Sequence, residues 1–428
     1  MVEGSGRVVS DVWDELQWRG LVAQSTDEDA LRAALAAGPV TYYVGFDPTA
    51  PSLHVGHLVQ VLTARRLQEA GHRPLILVGG ATGLIGDPRP TAERTMNDPQ
   101  TVAGWVERLQ AQIAPFLDFS GPAAATMVNN LDWTAQLSAI EFLRDIGKHF
   151  SVNRMLDREA VATRLASTGI SYTEFSYVLL QSNDYLQLHR RHGCALQLGG
   201  SDQWGNITAG AELVRRVDGA HVHALATPLL TKADGTKFGK TEAGAVWLDA
   251  ELTSPYAFYQ FWLNAEDAPV GGYLRAFSFR DREEIEELER QVVDAPAARA
   301  AQRALAHDVT ALVHGDDAAR AVEVASRALF GRSDLLALDE RTLRDSLAEL
   351  PAARTGSADV EVVDLFVAAG LSPSRSAARR TIAEGGAYVS NSKVTSEDAR
   401  LADFPLLHGR YAVLRRGRRA LAAVTVGD

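Results

Sequence analysis

Val40-Thr41-Tyr42-Tyr43-Val44-Gly45-Phe46, then the turn Asp47-Pro48-Thr49-Ala50-Pro51-Ser52, then His54-Val55-Gly56-His57, is the stretch that decides the fold. The first part is an apolar run rich in β-branched and aromatic residues, and the last opens a helical pattern of Leu58, Val61, Leu62, Arg65 and Leu67. The order is strand, tight loop, helix start. At such a helix start the backbone N–H groups are unpaired and the dipole is positive, which favours an anion. Histidines three apart share a helix face, and Gly56 between them removes a side chain that would block close approach of a ligand. Alone, a His-x-Gly-His also reads as capping and packing.

Working outward, the same alternation recurs. Pro74-Leu75-Ile76-Leu77-Val78 reads as a buried strand ending in glycines, Tyr172 to His189 as a helix, Cys194-Ala195-Leu196-Gln197-Leu198 as a strand and Asp202 to Arg216 as a helix. This predicts a Rossmann-like α/β domain over 1–253, with a parallel sheet and its sites at the strand C-termini. A first helix lies around Asp11 to Leu16. Residues 98–170 read as a helical insertion, with helices at Val102 to Leu117, Ala135 to Phe150 and Arg158 to Leu165. From Ser254 the pattern is helical only, giving an all-α domain over 254–330, and Glu283 to Arg290 is most simply a solvated face. Residues 331–360 read as a linker with one amphipathic helix. The tail, 361–428, reads as two short helices followed by strands at Gly385-Gly386-Ala387-Tyr388-Val389 and Tyr411-Ala412-Val413-Leu414, a small α+β domain.

With 428 residues, 46% of them hydrophobic, the chain has enough material for two or three cores. Its one cysteine, Cys194, excludes an internal disulfide and fits a reducing compartment. The N-terminal residues lack the basic start and apolar core of a signal peptide, and no apolar run reaches membrane-spanning length, so the expected location is the cytoplasm, away from any membrane. The net charge of −11 argues against indiscriminate coating of nucleic acid. Its distribution is uneven: residues 361–428 hold ten Lys/Arg against seven Asp/Glu. Arg375, Arg379 and Arg380 line the second helix of that tail, a pattern suited to phosphates.

A second string, Lys237-Phe238-Gly239-Lys240-Thr241, follows Leu230-Thr231-Lys232-Ala233-Asp234-Gly235-Thr236, whose glycine and turn formers imply a loop. Lys237 and Lys240 are ammonium donors of the kind that stabilise a pentacoordinate phosphorus as pyrophosphate departs. A Lys-x-x-Lys pair in a loop is by itself often only a solvated charge pair. In this order and at this separation the two strings resemble the HIGH and KMSKS signatures of class I aminoacyl-tRNA synthetases, which implies one site for ATP. The tail resembles the small RNA-binding module first known from a ribosomal small-subunit protein.

Over nearly its whole length the chain resembles the bacterial-type tyrosyl-tRNA synthetases, most densely at Tyr43 to His57, Gly79 to Pro88, Tyr172 to Asp184, Leu196 to Gly210 and Lys232 to Thr241. The resemblance implies activation of L-tyrosine by ATP to tyrosyl-adenylate and pyrophosphate, then transfer to the 3′ end of tRNA(Tyr). It implies that Tyr43 and Asp184 bind the phenol, that Asp87, Tyr177 and Gln181 hold the ammonium group, and that Gln197 supports the pocket. Tyr177, Gln181 and Asp184 are spaced to share one helix face. For ATP it implies Gly45, Asp47, His54, Gly56, His57, Gly200, Gln203 and Lys240, with Asp202 on the ribose. Thr49, His54, His57, Arg94, Lys237, Lys240 and Thr241 would serve the phosphates, Arg375, Arg379 and Arg380 the tRNA. A homodimer formed through 98–170 and an anticodon-side role for 254–330 are also implied.

One departure stands out: many relatives carry a lysine after Gly-Asp-Pro, where this chain has Arg89 in a loop one residue shorter. Magnesium is expected with ATP, bound through phosphates and water. No protein-bound metal is expected, because His189, His192 and Cys194 lack a fourth ligand. A tryptophan-specific synthetase shares the architecture but has no use for the Tyr43/Asp184 pair. A small-molecule adenylyltransferase has no use for 254–428, and a non-catalytic RNA-binding relative has none for two intact signatures.

Overall fold

A computed structural model of the protein describes residues 11–89, 96–231, 235–236, 238–241, 244–331, 333–417 and 420–427, with the side chains of Lys240 and Thr241 outside that description. The chain divides into two compact units, Met1–Asp249 with Glu266–Arg290, and Ala250–Ala265 with Gln291–Asp428.

The first unit is built on a sheet of β1 (Gln24–Ser25), β2 (Thr41–Phe46), β3 (Arg73–Val78), β4 (Thr126–Asn129), β5 (Leu196–Gly200) and β6 (His223–Thr227), in the order β1-β6-β5-β2-β3-β4. All pairings are parallel except that of β1 with β6. The expected Rossmann-like parallel sheet is present. Its chain path runs outward from β2 through β3 to β4 and then returns to β5 on the other side of β2. The C-terminal end of β2 is therefore the switch point where such sheets bind ligands.

Alternation along β2 sends neighbouring tyrosines to opposite faces. Tyr42 donates its hydroxyl to the Ala64 carbonyl on the Val55–Glu69 helix, and Tyr43 packs edge-on against Tyr185 of the Tyr172–His192 helix at 5.2 Å. The latter helix is closed by Gly193 in the left-handed conformation, φ 63°.

Three readings of the sequence differ from the structure. The stretch 98–170 is not only helical, since it contributes β4, paired to β3 from Leu75↔Thr126 to Val78↔Asn129. Its expected helix at 135–150 is broken, because Ser138 caps a new start with Glu141 in a reciprocal capping box and the chain continues as a π turn and a 3-10 turn. The stretch 254–330 is shared between the units. Glu266–Arg290 belongs with the sheet because two buried guanidinium groups, Arg19 and Arg66, donate to the carbonyls of Arg275, Ser278 and Arg280 at the end of the Asp267–Phe277 helix.

The third difference is at 331–360. A hairpin of β7 (Lys240–Thr241) and β8 (Gly244–Ala245) completes the first unit, and the second unit holds a sheet ordered β11-β10-β12-β13-β9. These strands are β9 (Ala352–Thr355), β10 (Ala387–Val389), β11 (Ser392–Lys393), β12 (Tyr411–Arg416) and β13 (Ala420–Val426). The expected linker thus supplies β9, which runs parallel to β13, besides the Glu340–Ala348 helix. Helices Val362–Ala368 and Arg375–Ala383 bury Val362, Phe366, Ala378 and Ile382 against the sheet residues Val389, Leu414 and Val424.

Candidate active site

The first task of this fold is to bring the two signature strings together. His54 caps the Val55–Glu69 helix, its Nδ1 accepting the Gly56 N–H at 3.0 Å, while His57 Nδ1 accepts the N–H of His54 at 3.2 Å. Residues 246–248 run beside this start: Val55 N–H donates to the Val246 carbonyl, Leu248 N–H to that of Leu53, and Val246 N–H to that of Gly239. Gly239, in the middle of the lysine string, has φ +89°, and a Cβ there would lie 2.7 Å from Val55 Cγ2. Only glycine fits so close to the helix start. A side chain at Gly56 would instead meet the His54 ring, 2.8 Å from its Cε1, so this glycine makes room for the capping imidazole as well as for a ligand.

The two rings stack with centroids 3.9 Å apart. Since each Nδ1 accepts a backbone N–H, each proton sits on Nε2, and the histidines are neutral donors. Burial, then the neighbouring His54, pushes His57 down to about 3. A lowered value leaves the ring neutral at every pH above it, so at saturating tyrosine the rate of pyrophosphate exchange into ATP is expected to show no His57 inflection between about pH 5 and 8. A step near pH 6 that vanishes in His57→Asn would refute the donor role.

Both strings border a cavity of ≈ 420 Å³ at the C-terminal end of β2. Its wall includes Tyr43, Gly45, Asp47, Thr49, His54, Gly56, His57, Asp87, Tyr177, Gln181, Asp184, Gln197, Gly200, Asp202 and Gln203. Arg94 and Lys237 lie outside the described residues, while Arg375, Arg379 and Arg380 stand in the second unit. Arg375 is already paired with Glu361 and Asp364, and Arg379 with Glu397 at 3.9 Å.

A hydrogen-bonded chain runs across the cavity floor. Asp184, 1% exposed, accepts from Asn130 Nδ2 at 2.9 Å and Trp133 Nε1 at 2.8 Å. Asn130 Nδ2 also donates to Thr82 Oγ1 at 2.9 Å, Thr82 donates to Asp47 at 2.6 Å, and Tyr177 OH donates to the other Asp47 oxygen at 2.6 Å. Burial pushes Asp184 up to about 7 against the opposing pull of its two donors. Beside it Tyr43 OH, Gln181 Oε1 and Gln197 Oε1 are buried without a hydrogen-bond partner among the described residues, an arrangement that costs free energy unless a polar ligand completes it. Tyr43 and Gln197 face each other across β2 and β5 by register. At the other end Asp87 accepts from Gln203 Nε2 at 2.9 Å and Asn206 Nδ2 at 3.2 Å.

Asn130, Trp133, Thr82 and Asn206 are absent from the residues singled out by sequence. The one local signal for them is the doublet Asn129-Asn130, which closes a strand too short to stand out by pattern. Asp202 lies in the 3-10 turn Ser201–Gln203 ahead of the Trp204–Asp218 helix, not at its N-cap. Cys194 is buried and its thiol pushed up by burial, and among the described residues no group of three His, Cys, Asp or Glu is arranged to hold a metal. No described helix is long and apolar enough to cross a membrane.

Comparison with known proteins agrees with this geometry. Residues 35–331 match the family described as tRNA synthetases class I (W and Y), and residues 342–424 match the tyrosine–tRNA ligase SYY-like C-terminal domain. The chain is 78% identical to a tyrosine–tRNA ligase of Kineococcus radiotolerans, covering 98% of this chain and 99% of that one. It is 68% identical to a tyrosine–tRNA ligase of Streptomyces coelicolor, again over 98% and 99%. Among solved structures, a C-terminally truncated Aspergillus nidulans mitochondrial tyrosyl-tRNA synthetase superposes with a TM-score of 0.68 at 31% identity, over 75% of this chain and 94% of that chain. A cavity at the switch point of the sheet bordered by both signature strings, and identity sustained from end to end, lead to one assignment: the chain belongs to the tyrosine–tRNA ligases, class I synthetases that activate tyrosine with ATP and attach it to tRNA.

Proposed function

We propose a division of labour within this cavity. Tyr43 and Asp184 take the phenol, Gln197 supports them, and Asp87, Tyr177 and Gln181 hold the ammonium group. The substrate carboxylate then attacks the α-phosphorus of ATP in line, and pyrophosphate leaves with its electron pair. No protein nucleophile is required, so catalysis is positioning plus charge stabilisation. Gly45, Gly56, Gly200 and Gln203 line the nucleotide, Asp202 meets the ribose, and Asp47 orients Tyr177 from the same wall. His54, His57, Thr49, Lys237, Lys240, Thr241 and Arg94 serve the phosphates. Magnesium enters as part of the ATP substrate, held by phosphate oxygens and water. The observation that carries this reading is Gly239 packed against Val55 at the start of the histidine helix. Exchange of labelled pyrophosphate into ATP, run with each of the twenty amino acids, tests it: tyrosine alone is expected to support exchange.

The second step passes tyrosine to the terminal ribose of tRNA, and we assign Arg379 and Arg380 of the tail module to RNA phosphates, with Arg375 partly committed to its own carboxylates. The insertion 98–170 exposes Ile140 (69%), Leu143, Val152 and Leu165, an apolar surface that suits a homodimer interface. Both readings meet in one truncation. Cutting before β9 avoids orphaning a strand, so a chain ending at Leu350 is expected to remain dimeric by sedimentation, to exchange pyrophosphate normally, and to charge tRNA poorly with a reduced salt dependence. Normal charging would remove the RNA role from the module, and a monomer would remove the interface from 98–170. The expected compartment is the cytoplasm, where tRNA is charged.

A further inference from the structure

The Asp87 carboxylate does not stand alone, because both of its oxygens are held by side-chain amides whose own orientation has to be set. Gln203 Nε2 donates to Asp87 Oδ2 and Asn206 Nδ2 to Oδ1, at 2.9 and 3.2 Å. Asn206 Nδ2 also donates to Gln203 Oε1 at 2.9 Å, so one amide orients the other. An amide can flip, and a flipped Asn206 would set its oxygen against a carboxylate oxygen and the Gln203 oxygen. What forbids the flip is Arg158: its Nη1 donates to Asn206 Oδ1 at 2.5 Å and its Nη2 to the Gly205 carbonyl at 2.7 Å.

Arg158 precedes the short helix Glu159–Leu165 of the insertion. Burial lowers its pKa while the Asp87 charge raises it, so the cation and the carboxylate sense each other through the amide layer. At the far end of the same helix Arg164, buried in an ion pair with Glu174 at 3.0 Å, donates to the backbone carbonyl of Arg89 at 3.1 Å. Arg158, just ahead of this helix, and Arg164, within it, thus both bear on residues 87–89, the first through the Asn206 and Gln203 amides and the second at the Arg89 carbonyl.

We propose that Arg158 is a positioning residue for the ammonium subsite: acting through Asn206 and Gln203, it fixes the Asp87 carboxylate toward the α-ammonium group of tyrosine. The inference rests on the assignment of Asp87 to that group. A guanidinium is suited to the task because it always donates and never accepts, so the amide facing it has one allowed orientation.

The test compares two ligands that differ only in the ammonium group, tyrosine and 3-(4-hydroxyphenyl)propionate, in equilibrium binding to the full-length protein, alongside pyrophosphate exchange without tRNA. Arg158→Met is expected to weaken tyrosine binding about tenfold, as for loss of one charge-assisted hydrogen bond. It should leave the propionate affinity unchanged. Arg158→Lys, which keeps the cation, should recover much of the loss. Equal weakening of both ligands, or no weakening of tyrosine, would overturn the positioning role. Asp87→Asn is the control for the underlying assignment: if it fails to reduce the preference for tyrosine over the propionate, the ammonium subsite lies elsewhere and the inference falls with it. If Asp87→Asn has the effect and Arg158→Met does not, only the inference falls. Should Arg158→Met misfold, which loss of its cooperative thermal unfolding transition would reveal, Arg158→Gln decides, because it keeps a donor without the charge. A loss confined to tyrosine then supports the role, and any other pattern overturns it.

Discussion

Asp184→Ala is expected to lower kcat/KM for tyrosine by roughly 100-fold, whereas Tyr43→Phe should cost about tenfold or less, because a hydrogen bond to a charged group contributes about 1.5–3 kcal/mol and a neutral one about 0.5–1.5. The structure adds a second cost to the first change. Asn130 Nδ2 and Trp133 Nε1 donate to Asp184 and would lose a buried acceptor, and the chain from Asn130 through Thr82 to Asp47 and Tyr177 would lose its terminus. Discrimination against phenylalanine should suffer likewise, since a site built to pair a hydroxyl rejects a ligand lacking one by leaving its own groups unpaired. This enzyme family is itself the usual illustration of that effect. The measurement is kcat/KM for tyrosine and phenylalanine in both variants, and a Tyr43→Phe loss as large as that of Asp184→Ala would overturn the division of labour.

The same residue brings a pH signature. Asp184 is pushed up to about 7 by burial, so its acid form lies on the low-pH side of that value. A bound phenol that donates to the carboxylate favours the ionised form. Tyrosine affinity should therefore fall as pH drops below about 7, with phenylalanine affinity changing less.

Lys240→Ala is the second large effect. Removing a cation that meets the phosphates chiefly in the transition state should slow adenylate formation on the order of 10²–10³-fold, the usual loss for one preorganised donor. Tyrosine affinity should hardly change, since an interaction absent from the ground state moves kcat and not binding. The backbone at Lys240 is set by its pairing with Ala245 in β7 and β8, one residue beyond Gly239 and its contact with Val55. Single-turnover activation measured by rapid quench checks this, and an unchanged rate would make Lys240 an ordinary solvated lysine.

Much of the first unit is legible in local sequence pattern. The run from Val40 to Val44, the turn at Asp47 to Ser52 and the periodicity after His57 are signals set by alternation, φ preferences and end-capping within a dozen residues. The two helices of the tail and its strands β10 and β12 are legible in the same way, whereas β13 is not among the strands read from the sequence. Two of the strands that pattern does not reveal share a physical character. β4 and β9 are four residues each and lie at sheet edges, and they become strands through pairing with β3 and β13, partners about 50 and 70 residues away in sequence. The division of 254–330 is hidden for a similar reason, because it depends on the guanidinium groups of Arg19 and Arg66 reaching carbonyls beyond residue 270.

The sequence by itself determined the parallel α/β class, the helix start at His54 to His57 and the family, since each is written in short-range pattern or in a recognisable motif. Only the tertiary structure decided which distant groups meet. It brought Gly239 against Val55, linked Asp184 to Asp47 through Asn130 and Thr82, and gave Asn206 an orientation through Arg158. Burial and hydrogen-bond partnership are properties of packing between distant segments, so the charge state of Asp184 and the neutrality of His57 exist only once the chain has folded around them.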